Sequence, residues 1–270
     1  MTPPTAPEEA HVSFRDVYMA FGDREVLHGL SCDFPRGKIS VILGGSGSGK
    51  TTVLRLIGGL IHPRRGEIFV AGQDVSGLWG ADLDEVRHKL GMMFQGGALL
   101  DSMTVFDNLA FPLREHTRMS ESEIAAEVHR QLAAVNLTNV DNLLPGQLSG
   151  GMVKRAALAR AIITKPEILL CDEPFSGLDP ITVKRIEALL GRINRQLDIT
   201  MLVSSHHIRS TMRMADHVVL LHKEGAVTGS PSKLQQSANP WVASFFNEEL
   251  DESVESPDDP HPLLRQQAVS

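Results

Sequence analysis

Cysteine is almost missing from this chain. Cys32 and Cys171 are the two present, far apart and each inside an apolar stretch. That excludes a disulfide framework or a cysteine-rich zinc site and fits a reducing compartment. Runs of eighteen or more apolar residues are also lacking, and the opening MTPPTAPEEAHVSFR has no basic start followed by an apolar stretch. Neither a membrane span nor a secretion signal is therefore expected. Internal repeats and sustained heptads do not occur. Nor is there a basic excess: 26 Lys and Arg stand against 33 Asp and Glu, a formal charge of -7, which argues against nucleic acid as a partner. Most of that charge is local. Over residues 247–270, Glu248, Glu249, Asp251, Glu252, Glu255, Asp258 and Asp259 face Arg265 alone, leaving a nearly neutral body and an acidic tail.

What is present suffices for a full core: 270 residues, 42% hydrophobic, the size of one large domain or two coupled lobes. A β-rich opening, HVSFRDVYMAFG and VLHGLSCDF, leads into KISVIL. Further strand candidates are GEIFVAG, KLGMMFQ, EILLCDE, DITMLVSS and DHVVLLHKEG, with helical patterns between most of them. Such alternation predicts an α/β fold with a mainly parallel sheet covered by helices. Between Gln95 and about Pro166 the pattern turns helical throughout (VFDNLAFPL, SEIAAEVHRQLAAVNL, MVKRAALARAII), so an inserted helical lobe is expected over about 96–166. Residues 1–11 are expected to be a flexible N-terminus, 12–246 the folded domain and 247–270 a mobile tail.

Three short segments carry chemistry. Gly44, Gly45, Ser46, Gly47, Ser48, Gly49, Lys50 and Thr51, followed by Thr52, read GGSGSGKTT between a buried strand and a helix, the pattern of a phosphate-binding loop. Glycines let the backbone turn its N–H groups to phosphate oxygens, and the helix start adds partial positive charge. Lys50 would bridge β- and γ-phosphates and Thr51 would ligate Mg²⁺. EILLCDEP delivers two adjacent carboxylates at a strand end: Asp172 suits the Mg²⁺ shell and Glu173 the orientation of attacking water. The third segment is LSGGM, Leu148 to Met152, opening the helix VKRAALARAII. Ser149, Gly150 and Gly151 there offer a hydroxyl, backbone donors and a helix dipole.

Phosphate loop, acidic pair and LSGGM together resemble the ABC ATPases, over about residues 12 to 246. The resemblance implies a phosphate-loop NTPase fold with a mainly parallel core sheet, an N-terminal antiparallel β subdomain and an inserted helical lobe. It also implies ATP and Mg²⁺ as cofactors and a head-to-tail homodimer sandwiching ATP between the loop of one copy and the signature of the other. By that resemblance Gln95 touches Mg²⁺ and senses the permease, Asp179 in FSGLDP couples the two sites, and His206 contacts the γ-phosphate. Phe21 stands where the family keeps an aromatic against adenine, a core phenylalanine being the rival reading. Three positions depart from the family pattern: Gly45 from a proline, Met152 from the signature glutamine and His207 from an aspartate.

FQGGALLDSMTVFDNLAFPLREHT, LSGGMVKRAALARAI and DEPFSGLDPIT closely resemble the ATPases of Mla systems, which maintain lipid asymmetry. That implies a peripheral subunit at the cytoplasmic face of a bacterial inner membrane, driving phospholipid, its indirect cargo, between inner and outer membranes. Implied partners are an MlaE-type permease, an MlaD-type substrate-binding protein and an MlaB-type STAS-domain protein. An ABC importer for a mammalian-cell-entry type lipid or sterol, a metal or an amino acid is the alternative. Apolar residues in FQGGALL and VFDNLAFPL fit either a permease groove or the core of the lobe, with core the simpler reading. DNA-repair ATPases with long coiled coils are excluded, since only about a hundred residues separate loop and signature, without heptads.

Overall fold

The computed structural model describes residues 9–222 and 225–251, in two compact units that meet at Pro231/Ser232. In the first, β1 (Ala10–Phe21), β2 (Arg24–Pro35), β4 (Arg65–Val70) and β5 (Gln73–Asp74) form an antiparallel sheet in the order β2-β1-β4-β5. β1 begins at Ala10, ahead of the boundary expected at residue 12, because His11 is buried and its Nδ1 lies 2.7 Å from the Thr200 hydroxyl.

The second sheet holds β3 (Ile39–Leu43), β6 (Leu90–Met93), β7 (Ile168–Asp172), β8 (Thr200–Ser204), β9 (His217–His222) and β10 (Gly225–Gly229), in the order β10-β9-β3-β8-β7-β6. Every pairing is parallel except β9 with the edge strand β10. β3, β7 and β8 are buried at all five positions, as parallel strands covered on both faces must be. Both cysteines lie in strands and are buried, and desolvation pushes the Cys171 thiol up to about 12. Helix α1 (Lys50–Ile57) touches β7 and β8 of this sheet and β4 of the other. A single core therefore joins Phe14, Phe34 and Ile68 of the antiparallel sheet to Val53, Leu54 and Ile57 of α1 and to Ile42, Leu170 and Leu202.

After α2 (Gly80–Arg87), three helices pack on one another between β6 and β7: α3 (Val105–His116), α4 (Glu121–Ala134) and α5 (Gly150–Ile162). Their ends are written locally. Thr104 caps α3, Ser120 and Glu123 make a reciprocal capping box on α4, and Ser149 caps α5, each such cap being worth ~1 kcal/mol. α5 is buried nearly all round through Ala156, Ala157, Leu158 and Ala159. It lies directly on β6, where a Cβ on Gly91 would sit 2.1 Å from the Ala161 carbonyl oxygen. The apolar residues of the lobe divide: Val105, Leu109 and Leu113 are core, while Leu100 (43% exposed) and Phe111 (42%) stay at the surface. Helices α6 (Pro180–Leu197) and α7 (Ile208–Met214) complete this unit.

The second unit contains α8 (Pro231–Gln235), which starts at the junction, and α9 (Pro240–Asp251), which runs past the tail boundary expected after Phe246. Residues 1–8 and 252–270, most of the expected N-terminal and acidic tails, lie outside the described residues. Among the described residues no helix is long and apolar enough to cross a membrane.

Candidate active site

β3, β7 and β8 run side by side, so the segments leaving their C-terminal ends converge, which is where ligands bind in open parallel sheets. The loop after β3 turns through positive φ at Gly44, Gly47 and Gly49. At Gly44, with φ 151, a Cβ would stand 2.5 Å from Ser48 Oγ, so no larger residue fits the turn. Gly49 is the N-cap of α1, so the loop runs directly into the helix start, whose free N–H groups and dipole favour an anion. Lys50 Nζ folds back over the loop and donates to the Gly44 and Gly45 carbonyls at 2.8 and 3.2 Å. Ser48 Oγ is buried without a partner. A loop that bends its own lysine inward and strands a buried hydroxyl has the donors a polyphosphate needs.

Across from it, β7 ends in Asp172 and Glu173, both buried. Adjacent residues of an extended strand point to opposite faces. Glu173 escapes this by taking φ 46, a left-handed conformation costing roughly 1–2 kcal/mol, and so both carboxylates reach the loop. Asp172 Oδ1 accepts from the Thr51 hydroxyl at 3.0 Å and from the Ser204 hydroxyl at 2.6 Å. Glu173 lies 3.8 Å from Lys50 Nζ and 2.9 Å from His206 Nδ1, and its own N–H donates to Ser204 Oγ at 2.9 Å. Among the described residues no cluster of three metal-ligating side chains occurs. The Thr51–Asp172 pair offers a hydroxyl and a carboxylate oxygen, donors of the type that Mg²⁺ takes beside phosphate oxygens and water.

The structure therefore brings together Lys50, Thr51, Asp172, Glu173 and His206. His206 is half-exposed and its ring lies 4.3 Å from that of His207. His207 begins α7 without a side-chain cap, and its N–H donates to Ser205 Oγ. Burial, then the neighbouring His206, lowers the His207 pKa. Gln95 is exposed just past β6, its carbonyl accepting from Lys154 Nζ. Phe21, 47% exposed, ends β1 beside the Gly22 turn, so the core-phenylalanine reading falls.

The signature stands apart. Ser149 caps α5 by accepting from the Met152 N–H at 3.4 Å, which leaves its hydroxyl hydrogen to donate. Asp179 caps α6 through the Ile181 and Thr182 N–H groups at 3.0 Å and the Thr182 hydroxyl at 2.5 Å, the Thr182 bonds holding its carboxyl below the usual range. Ser149, Gly150, Gly151 and Asp179 line a cleft of about 910 Å³ with Arg155, Arg185, Arg192 and Arg195. Three residues that sequence reasoning missed take part: Ser204, which joins the two acidic residues; Lys154, buried between two loops; and Arg24, whose guanidinium would lie 3.2 Å from a Cβ on Gly47.

Several known proteins are similar to this chain. Residues 27–176 match the family model described as ABC transporter. The chain is 43% identical over 237 residues to the intermembrane phospholipid transport system ATP-binding protein MlaF of Escherichia coli (strain K12), covering 87% of this chain and 88% of that one. It is 40% identical over 242 residues to a Mycobacterium tuberculosis (strain H37Rv) protein named "Probable ribonucleotide transport ATP-binding protein mkl", covering 89% and 67%. A solved dimeric ATP-binding cassette in a post-hydrolysis state with ADP and Pi bound superposes with TM-score 0.75 at 29% identity, covering 82% of this chain and 98% of that one.

Proposed function

The chain belongs to the ABC transporter family, and from that premise we propose that it is the ATP-hydrolysing subunit of a phospholipid-transporting complex, working as a homodimer at the cytoplasmic face of a bacterial inner membrane. The observation that carries the chemistry is Glu173 held between Lys50 and His206, beside the Thr51–Asp172 pair. Lys50 and the loop amides bind and neutralise the β- and γ-phosphates. Thr51, Asp172 and Gln95 would hold Mg²⁺, which when bound would supply positive charge against the phosphate oxygens. Glu173 orients the attacking water and draws on its proton, while His206 fixes the Glu173 carboxylate and reaches toward the γ-phosphate. Phe21, exposed beside the loop's neighbouring hairpin, stacks on adenine.

The remaining contacts come from a second copy. Its Ser149, Gly150 and Gly151 supply a hydroxyl, backbone donors and a helix start to the γ-phosphate, and its Asp179 couples the two sites. The arginine-lined cleft beside the signature supports this, since its field favours a polyphosphate, and the solved relative is itself a dimer with ADP and Pi.

For cargo, the near full-length similarity to an intermembrane phospholipid transport ATPase supports phospholipid moving between inner and outer membranes. The partners are then a permease of MlaE type, a substrate-binding protein of MlaD type and a STAS-domain protein of MlaB type. A groove of about 800 Å³, lined by Leu90, Met92, Pro112, Leu113, His88 and His116, suits an amphipathic permease helix. The second reading, another cargo, is favoured by the mycobacterial relative, which is named as a probable ribonucleotide transport protein. Purification of the complex in mild detergent, with mass spectrometry of proteins and small molecules, decides between them. Permease, STAS protein and phospholipid are expected together; a permease carrying nucleotide and no lipid would overturn the cargo.

A further inference from the structure

Lys154 is a basic side chain with no part in the chemistry above. It lies one turn into α5 from the signature and is 6% exposed. An ammonium group at that depth is strongly destabilising unless its hydrogens are taken up, and here there is an acceptor for each of the three. Nζ donates to the Gln95 carbonyl, to the Glu173 carbonyl at 3.3 Å and to the Ser176 hydroxyl at 3.1 Å. These acceptors belong to two segments: the loop after β6 and the Glu173–Ser176 turn that follows β7.

The Glu173 contact has the most at stake. With φ 46, this residue keeps its left-handed conformation only if its surroundings enforce it. Its N–H is held by Ser204, while its carbonyl accepts from Lys154 and, within its own turn, from the Ser176 Oγ at 3.0 Å and the Ser176 N–H at 3.2 Å. The amide side is therefore anchored to the sheet and the carbonyl side to both its own turn and the signature helix.

We infer that Lys154 is a positioning residue, whose ammonium group ties the Gln95 loop and the Glu173 turn to the signature helix and so makes the aim of the Glu173 carboxylate depend on how α5 is seated. The inference rests on the reading of Glu173 as the water-orienting group. Methionine in place of Lys154 would fill a similar volume but donate nothing, whereas arginine would keep charge and donors.

The full chain is compared with Lys154→Met, Lys154→Arg, Ser176→Ala and Glu173→Gln for ATP turnover and for binding of a nonhydrolysable ATP analogue. Lys154→Met should lower kcat at least ~10-fold with analogue affinity changed less than ~2-fold, and Lys154→Arg should recover most of the loss. Turnover of Lys154→Met within about twofold of wild type overturns the inference. So do a parallel loss of turnover and analogue binding, which marks a purely structural lysine, and an arginine variant no better than methionine. Should Lys154→Met fail to fold, Ser176→Ala decides: a kcat loss of ~3-fold at unchanged affinity supports the role, and unchanged kcat overturns it. Glu173→Gln separates the two readings. Wild-type turnover in that variant removes the basis in Glu173 itself, whereas a dead Glu173→Gln beside a fully active Lys154→Met removes only the role of Lys154.

Discussion

The two ends of the active site are built in opposite ways. At the phosphate loop the groups are mutually bonded around a buried centre: Ser204, Asp172 and Glu173 are buried, and Lys50, Thr51 and the half-exposed His206 join them in one continuous network at the strand ends. At the signature, Ser149 and the two glycines line an open cleft, with hydrogen bonds that do no more than start a helix. A buried network holds a geometry before its ligand arrives. An exposed helix start acts only on something brought to it. The difference teaches that the first end is preorganised, whereas the second can only offer its donors outward, which is what the proposed pairing with a second copy uses.

The largest test of that contrast is Glu173→Gln, which removes the water-orienting carboxylate and no phosphate contact. ATP turnover should fall at least ~100-fold while the analogue still binds; hydrolysis near the wild-type rate would erase the proposed asymmetry. Next in size, Lys50→Ala should weaken nucleotide binding itself by ~10-fold or more, as expected for loss of a charge-assisted contact, and calorimetry finding unchanged affinity would count against the loop as the binding half. Mixing Ser149→Arg with Glu173→Gln chains sharpens the picture. Each variant alone should be inactive, yet mixed dimers should regain up to about a quarter of wild-type turnover, because one composite site per heterodimer keeps both halves intact. A mixture as dead as its parents would mean self-contained copies. The smallest effect is Phe21→Ala, expected to loosen ATP by about three- to tenfold through lost stacking; identical fluorescence titrations for both proteins would return Phe21 to an idle surface role.

The same contrast decides what could be read from the chain. Strands, inserted helices and the phosphate loop were legible because each is encoded locally, by apolar runs, capping residues and glycines at fixed spacing. The Asp172–Glu173 pair was legible because an apolar strand delivers it. Ser204 was not, since a serine closing a strand looks like any edge residue until the neighbouring strand sets it against both carboxylates. Lys154 was hidden for a similar reason: a lysine within an alanine-rich helix reads as solvated, and only packing of α5 against β6 turns it inward. Leu100 and Phe111 show the limit from the other side, being apolar residues that periodicity would bury and the fold leaves exposed.

At Gly91, helix and strand meet backbone to backbone. The neighbouring Leu90 and Met92 point to the other face of β6, so the close approach of α5 hangs on the missing side chain of Gly91 alone. Any side chain grafted onto Gly91 would lift α5 from the sheet and carry Ser149, at the start of that helix, away with it.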